Sequence, residues 1–439
     1  MIYPEAIKYL ESFINYEKIP YYSYKDSVKL ERIKDFLSLI GNPQESLRVI
    51  HVAGSKGKGS TSAFIAQILK EAGFKTGLYT SPHLSDFRER IRVFSCQPSA
   101  ISLQPKEFEG MIEKKDLTRL VKKLRPKIEQ YNRILKYGPL SFFEAYTALA
   151  FVYFKEKKVD FAVLETGMGG RLDATNTTNA QVCVITPISY EHTDKLGKTL
   201  RQIAREKAGI IKSEIRNPKS ESAKPIVICA PQEKEALDVI RKRCIDVGAK
   251  IYEIKKNKLT QFKTQLLGFH QQINANVAKE AVKALSYFGA KISDSKIRKG
   301  LAGTFWPGRC EVISQKPFIV LDGAQNKASA KALKEAIRAN FRYNKLILVL
   351  GISQDKDIRG ICAQLRTLAG TVILTKSSNP RATEPKVLAR YFPKKDTRQT
   401  SGVKEALCLA KEEAKEKDLI LVTGSLFVVG EAREDILSY

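Results

Sequence analysis

The clearest candidate for chemistry is a glycine-rich loop near the beginning of the chain. It reads His51-Val52-Ala53-Gly54-Ser55-Lys56-Gly57-Lys58-Gly59-Ser60-Thr61 and lies between an apolar run that predicts a strand and a pattern that predicts a helix. Glycines let backbone N–H groups close around phosphate oxygens, and the helix adds its partial positive charge. A plain glycine-rich turn would not need these glycines and lysines in register. We therefore predict that Gly57, Lys58, Gly59 and Ser60 bind nucleotide phosphates.

A divalent cation would need a ligand from outside this loop. In an ordinary phosphate loop the residue after the lysine is Ser or Thr and holds Mg²⁺, but here it is Gly59. Glu165 ends the apolar run 161–164, and parallel sheets place ligands at the carboxyl ends of their strands. A carboxylate suits Mg²⁺, so Glu165 is a candidate metal ligand. The alternative is a strand-end glutamate that faces water.

The elements that must position these residues alternate between strand and helix, which is typical of parallel α/β proteins. We predict strands at 47–53, 75–79, 161–165, 182–186 and 225–229. We predict helices from the glycine loop to about 70, at 200–211, 233–247 and 271–288, and a charged helical insertion at 106–136. A second alternating series predicts strands at 318–321, 346–350, 372–374 and 419–422, with helices near 327–340, 384–391 and 402–416.

The length of 439 residues favours two or three domains. We place one boundary near residue 305, which gives a first unit at 1–305 and a second at 306–439. The second unit has no G-x-G-x-x-G after its first strand, so it is not expected to bind a dinucleotide.

Composition narrows the class of protein. The apolar runs have strand length and fall far short of a membrane span, and no signal peptide is visible. Seven cysteines without a C-x-x-C pair fit a reduced cytosol better than a disulfide framework or a zinc site. The net charge of +28 invites a nucleic-acid interpretation, but the basic excess is spread almost evenly and forms no tail or run. We expect a cytoplasmic protein whose basic surface serves anionic ligands.

Further motifs, in their order along the chain, give the sequence a specific resemblance to the folylpolyglutamate and dihydrofolate synthases of the Mur ligase superfamily. The resemblance covers nearly the whole chain, and its order and number of motifs make it specific. Besides the glycine loop, it rests on the stretches 80–84, 89–91, 140–144, 165–176, 191–193, 196–197, 203–211, 270–275, 307–311, 321–324 and 423–426.

This resemblance implies a fold and a set of site residues. The fold is a phosphate-loop, Mur-ligase-type central domain with a smaller C-terminal Rossmann-like α/β domain. The implied metal ligands are Ser81, Glu165, His192 and Lys207, where a carbamylated Lys207 would hold a second Mg²⁺. Residue type alone would make His192 a poor ligand for Mg²⁺ and Lys207 part of a solvated helix face.

The implied catalytic residues are Lys58, Lys207, His192 and Glu165. For ATP the resemblance adds Asn274, Arg309 and Asp322, and a guanidinium is physically suited to phosphate. For the pterin end of the substrate it implies Ser141, Leu172, Asp173 and Ala174.

The chain departs from the family pattern at three places. The family usually has Asp-His where Glu191-His192 stands, and a neutral Thr-Asn where Ser55-Lys56 stands. It also has His-Asn-Pro where this chain reads Gln325-Asn326-Lys327. Glutamine can replace one hydrogen bond of the missing histidine, so the departure affects the role of position 325 and not the fold.

The activity implied is ATP-dependent addition of L-glutamate to folates through an acyl phosphate, with dihydropteroate as a possible second substrate. Mg²⁺ (two ions) and ATP would be required, and we expect a monomer that binds small molecules but neither nucleic acid nor membrane. One alternative is a Mur-type ligase for a cell-wall precursor, against which the Gly59-Ser60 loop and the stretch 140–144 argue. A phosphate-loop nucleic-acid-binding NTPase would explain the charge but not the stretch 171–176.

Overall fold

A computed structural model describes residues 1–19, 22–95, 108–134, 136–213, 224–393 and 396–438. Within these ranges the strands form one seven-stranded and one six-stranded sheet. Helices connect most of the parallel strands, so the predicted α/β class is confirmed. No helix in the described ranges has the length and apolar character needed to cross a membrane.

The strands of the first sheet are β1 (Val49–Ala53), β2 (Thr76–Tyr79), β3 (Ile91–Phe94), β4 (Phe161–Glu165), β5 (Val182–Ile185), β6 (Ile226–Cys229) and β7 (Lys250–Glu253). Those of the second are β8 (Glu311–Gln315), β9 (Phe318–Asp322), β10 (Leu346–Leu350), β11 (Thr371–Leu374), β12 (Asp396–Gln399) and β13 (Leu419–Thr423).

The α-helices before β8 are α1 (Tyr3–Glu11), α2 (Tyr24–Ser27), α3 (Leu30–Leu39), α4 (Lys58–Glu71), α5 (Lys114–Ile134), α6 (Phe142–Glu156), α7 (Leu200–Ala208), α8 (Lys234–Val247), α9 (Phe269–Ala284) and α10 (Asp294–Gly303). Those after β8 are α11 (Lys327–Asn340), α12 (Ile358–Leu365), α13 (Pro385–Ala389), α14 (Val403–Glu413) and α15 (Leu426–Ile436).

The first sheet has the order β3-β2-β4-β1-β5-β6-β7 and is parallel except for the edge strand β3. Every residue of β1 and β4 is buried, because helices cover both faces of a parallel sheet. On β1, Ile50 and Val52 face one hydrophobic core while Val49 and Ala53 face the other. The central strand β1 lies between β4 and β5, so the loops that follow these three strands meet at one edge.

The second sheet has the order β12-β11-β10-β13-β9-β8, with only the edge strand β8 antiparallel. It also separates two hydrophobic clusters. Leu84, from the loop after β2, packs against one of these clusters. A Cβ at Gly430 on α15 would come within 2.3 Å of the carbonyl oxygen of Leu84, so the two parts of the chain are in close contact there.

Most predicted elements are present with bounds that differ by a few residues. The helical insertion is α5, which begins at Lys114 because residues 108–113 form a turn and a bridge from Met111 to Arg92 of β3, and residues 106–107 and 135 of the predicted span lie outside the described ranges. The predicted helix at 271–288 is α9 followed by a 3-10 turn that ends before Gly289, which has a φ of 83°.

Several helices and strands of the structure were not predicted from the sequence. The edge strands β7 and β12 lack a continuous apolar run because they are partly exposed. Helix α6 is buried on nearly all sides, so it has no polar face to give a helical period.

Candidate nucleotide and metal site

The glycine loop connects the central strand to a helix, as predicted. β1 ends at Ala53 and α4 begins at Lys58, with Gly57 in the left-handed region at a φ of 83°. The first N–H groups of a helix have no partner within it, and the helix dipole is positive there. Gly57, Lys58, Gly59 and Ser60 therefore stand at the positive end of α4, the geometry that the prediction of phosphate binding requires.

Two glycines of the loop are required by close packing. A Cβ at Gly54 would be 1.9 Å from Oγ1 of Thr186, and one at Gly57 would be 2.3 Å from Oδ1 of Asn274. The loop is thus packed between the end of β5 and helix α9. Asn274, a predicted ATP ligand, lies against the loop, where its Nδ2 donates to Oε1 of Gln271 at 2.8 Å.

Glu165 and Ser81 lie together beside the loop. The backbone N–H of Ser81 donates to Oε2 of Glu165 at 3.3 Å, and a Cβ at Gly59 would be 3.5 Å from the same oxygen. Burial raises the pKa of Glu165 to about 7, although Lys58 and Arg309 favour the anion. Glu165 is only 5% exposed and so does not face bulk solvent, and a cation would stabilise its charged form.

Lys207 is buried beneath the glycine loop, in contrast to the solvated face that its helix composition indicates. Its side chain is nearly inaccessible, and Nζ donates to the carbonyl oxygen of Gly54 at 2.8 Å. Burial, together with the positive charge of Lys58, lowers the pKa of Lys207 to about 7, although Glu191 opposes this. A large share of the amine is therefore neutral near pH 7.

His192 lies in the loop that follows β5. Its φ of 49° is unusual for a residue with a side chain, and its carbonyl oxygen accepts from the N–H groups of Lys195 and Leu196. Burial lowers the pKa of His192 to about 4 even though Glu191 opposes it. The imidazole is thus neutral at physiological pH, the form that binds metals.

The second sheet contributes the remaining predicted ATP residues. Asp322 ends β9, and its two oxygens accept from the N–H groups of Cys310 and Ala324 at 2.8 and 2.9 Å. Burial raises the pKa of Asp322, and the nearby Arg309 opposes this. Gln325 precedes α11, and its N–H donates to Oγ of Ser329.

A small cavity of about 40 Å³ lies between the first sheet and the segments that flank the second sheet. Glu165, Ser81 and Gly59 form one side, and Arg309 and Trp306 belong to the other part of the chain. Its full lining is Gly59, Thr80, Ser81, Pro82, Leu84, Glu89, Phe108, Glu165, Trp306, Pro307, Arg309 and Leu426. This volume admits water molecules but not a nucleotide.

Ser141 and Asp173, predicted for the pterin, have local structural partners. Ser141 is the N-cap of α6, and its hydroxyl donates to Glu144 at 2.6 Å. Asp173 accepts from the N–H groups of Met168 and Thr175, both at 3.0 Å.

The two predicted pterin stretches are neighbours in space. A Cβ at Gly167 would be 2.7 Å from the ring of Phe143 and 3.3 Å from Asp173, so the loop after β4 lies against the start of α6. Leu172 is partly buried and Ala174 is buried.

Sequence reasoning assigned only four of the cavity's lining residues to the site, and Glu89, Trp306 and Phe108 are among those it missed. The Glu89 carboxylate accepts from the N–H groups of Ser85 and Asp86 at 2.9 and 2.7 Å and so fixes the loop that carries Ser81. Trp306, the one tryptophan of the chain, stands just before the quoted stretch 307–311, and this position was the available signal. Phe108 had no signal of its own.

In the part of the chain that the structure describes, no group of three or more His, Cys, Asp and Glu residues is placed to hold a metal. This does not argue against Mg²⁺, which is usually bound by one or two carboxylates together with water and substrate phosphates. A single buried carboxylate, a hydroxyl and a phosphate loop fit a cation that is shared with a nucleotide.

Two family models match the chain. The Mur ligase middle domain matches residues 132–282, and the Mur ligase glutamate ligase domain matches residues 308–426. Together they include β4–β7 of the first sheet and all six strands of the second sheet.

Known proteins match over nearly the whole length. The dihydrofolate synthase/folylpolyglutamate synthase of Bacillus subtilis is 32% identical over 92% of this chain and 94% of its own. The crystal structure of Mycobacterium tuberculosis folylpolyglutamate synthase complexed with ADP has a TM-score of 0.84, with 28% identity over 99% and 98% of the two chains. The bifunctional Yersinia pestis enzyme complexed with AMPPNP and a Mn ion has a TM-score of 0.80, with 26% identity over 100% and 98%.

These matches favour neither a cell-wall ligase nor a nucleic-acid-binding NTPase. The phosphate loop, the two sheets and the similarity over the whole length lead to one conclusion. The chain belongs to the folylpolyglutamate synthase/dihydrofolate synthase family of Mur ligases.

Proposed function

We propose that this chain uses ATP to join L-glutamate to a folate, through the residues described above. The observation that carries the proposal is the cavity in which Gly59, Ser81 and Glu165 of the first part meet Arg309 of the second. A phosphate bound at the start of α4 would lie between these two sets of residues. Such an arrangement suits phosphoryl transfer, because that chemistry depends on positioning and on neutralising charge.

The proposed reaction has two steps. A folate carboxylate oxygen attacks the γ-phosphorus of ATP, the bond to the β,γ-bridging oxygen breaks, and ADP leaves. The α-amine of glutamate then attacks the acyl carbon, and inorganic phosphate leaves as the amide forms and the nitrogen loses a proton. Lys58 and Arg309 would stabilise the charge on the transferred phosphoryl group.

We assign two cation positions to the two sides of the phosphate loop. Ser81 and Glu165 would hold Mg²⁺ with the nucleotide phosphates, since the burial of Glu165 leaves its charge in need of a partner. His192 and a carbamylated Lys207 would hold the second ion. The low pKa of Lys207 supports this, because only a neutral amine adds carbon dioxide.

For the folate, we assign the pterin end to Ser141, Leu172, Asp173 and Ala174, whose two stretches are neighbours in the fold. Dihydropteroate is proposed as a second substrate, since both reactions activate a carboxylate for the same amine. The Bacillus subtilis and Yersinia pestis proteins, whose names include both activities, support this.

The unit boundary is proposed near residue 305, between the two sheets. Because Arg309 of the second unit meets Gly59 and Glu165 of the first in one cavity, the units would open to admit ATP and close around it. Closure would exclude water that would otherwise hydrolyse the acyl phosphate. We further propose that the enzyme acts as a cytoplasmic monomer and does not require nucleic acid.

The test is an ADP-release assay with MgATP, L-glutamate and a panel of acceptors. We expect turnover with a tetrahydrofolate monoglutamate and with dihydropteroate, and none with a muramyl precursor. Turnover of the folate alone would reject the second activity and leave the first. ADP release that depends on RNA or a muramyl precursor, and not on folate plus glutamate, would refute the proposed function.

A further inference from the structure

Two unusual side chains of the site form an ion pair with each other. Nζ of Lys56, in the phosphate loop, lies 2.9 Å from Oε1 of Glu191, which precedes His192. The two residues are 135 positions apart in the sequence, and their side chains are 26% and 18% exposed. Both stand at positions where the chain departs from the family pattern described above.

The ion pair extends a set of contacts between the same two loops. The N–H groups of Ser55 and Lys56 both donate to the carbonyl oxygen of Pro187, at 3.0 and 3.1 Å. The Ser55 hydroxyl donates to the carbonyl oxygen of Ser189 at 3.0 Å, and the N–H of Ser189 donates to that hydroxyl at 3.1 Å. The phosphate loop and the loop after β5 are therefore joined at both the backbone and the side-chain level.

The loop after β5 needs such support at its far end. The contacts with the phosphate loop described above reach Ser189, and His192, three residues later, has a left-handed φ of 49° and a carbonyl oxygen that accepts from the N–H groups of Lys195 and Leu196. A left-handed conformation of a residue with a Cβ costs about 1–2 kcal/mol, and it persists when neighbouring contacts favour it. The ion pair lies at Glu191, directly before this residue.

The charges around the phosphate loop are a second reason to expect that the ion pair matters for nucleotide binding. Lys56, Lys58 and Lys207 lie close enough together to interact electrostatically, and Glu191 is the anion that they share. Without Glu191 the two lysines of the phosphate loop, Lys56 and Lys58, would repel each other and lose this shared anion. Without Lys56, Glu191 would be free to turn toward Lys58, the residue assigned to the phosphates.

We propose that the Lys56–Glu191 ion pair is a positioning device that holds the phosphate loop and the His192 loop in register for a nucleotide–metal complex. Neither side chain is assigned a contact with the phosphates. The inference rests on the proposed function for the identity of that ligand. It adds a pair of positioning residues to the assigned ligands.

The test is a double-mutant cycle with Lys56→Met, Glu191→Gln and the double variant. Affinity for MgAMPPNP is measured by calorimetry, and kcat and KM for ATP are measured in the ligase assay. We expect each single substitution to weaken nucleotide binding about fivefold, in the range of a partly buried ion pair, and the double variant to lose about the same fivefold. Arg241→Gln, which removes a pair to Glu253 at a distant sheet edge, is the control and should not change the affinity.

Additive losses of about 25-fold in the double variant would overturn the inference, because Lys56 would then act on the phosphates directly. Unchanged affinity in both single variants would overturn it as well. If a single variant fails to fold, Lys56→Arg and Glu191→Asp provide a second cycle. Arg is longer than Lys and Asp is shorter than Glu, so the double variant can form the ion pair again and should bind the nucleotide more tightly than either single variant. If the wild type shows no ligase activity but the cycle still shows coupling between Lys56 and Glu191 in MgAMPPNP binding, the proposed function alone is refuted. If the wild type does not bind MgAMPPNP, both the proposed function and this inference are overturned.

Discussion

Replacing Glu165 with Gln should abolish ligase activity and yet stabilise the metal-free protein. Glu165 is 5% exposed, and burial raises its pKa from 4.5 to about 7 although Lys58 and Arg309 favour the charged form. The folded state therefore binds the proton more tightly than the unfolded state does. Because the pKa of the carboxyl is higher in the folded state, the free energy of unfolding falls as the pH rises from 4.5 to 7. The full loss of stability remains above pH 7.

The magnitude follows from the shift. A tenfold change in proton affinity corresponds to about 1.4 kcal/mol, so the change from 4.5 to about 7 costs about 3 kcal/mol above pH 7. The uncharged amide of Gln avoids this cost and can still accept from the N–H of Ser81. At pH 5.5 the cost, and hence the gain on substitution, should be less than half as large.

The assay is chemical unfolding in EDTA at pH 8 and at pH 5.5, for the wild type and Glu165→Gln. Glu253→Gln is a matched control, because Glu253 also ends a strand but is partly exposed at the sheet edge. MgATP should stabilise the wild type more than the variant. A variant that is no more stable than the wild type at pH 8, or a gain that is equal at both pH values, would refute this reasoning.

Three further outcomes are expected. Lys58→Ala should stay folded but lose about 10²–10³-fold in kcat, since it removes a charge at the transferred phosphoryl group; near-normal turnover in the ADP-release assay would contradict the phosphate-loop assignment. Lys207→Ala should be inactive and partly rescued by a small added carboxylate, and mass spectrometry or electron density of an unmodified Lys207 in the MgATP complex would count against carbamylation. Gly430→Ala should separate α15 from Leu84, because the new Cβ would lie 2.3 Å from the carbonyl oxygen of Leu84. We expect a raised KM for ATP and a lower melting temperature, and wild-type values of both would contradict the role of this contact.

The chemistry of the glycine loop could be predicted from the sequence because all its parts are local. A strand, a turn with glycines at fixed positions and a helix follow one another within residues 49–71, and the short-range geometry of such a segment is nearly independent of the rest of the chain. Glu165 could be predicted as a strand-end residue for the same reason. The family resemblance extended this to Ser81, His192 and Lys207, whose roles no local pattern indicates.

Burial could not be predicted in the same way. Helix α7 has Arg201, Arg205 and Glu206 before Lys207, so its composition is typical of a solvated face. The structure buries Lys207 because the carbonyl oxygen of Gly54 accepts from its amine under the phosphate loop. The low pKa that would allow carbamylation is a consequence of this packing and has no signal in the sequence.

By itself, then, the sequence determined the α/β class, the phosphate loop and the family, because strand and helix periods, glycine positions and motif order are properties of short segments. Only the tertiary structure decided which distant residues meet. It placed Arg309, which precedes β8 of the second sheet, in one cavity with Glu165 of the first sheet, and it paired Lys56 with Glu191 across 135 positions. The physical reason is that such contacts depend on how sheets and loops pack, and many sequences with the same local patterns would bring other side chains together.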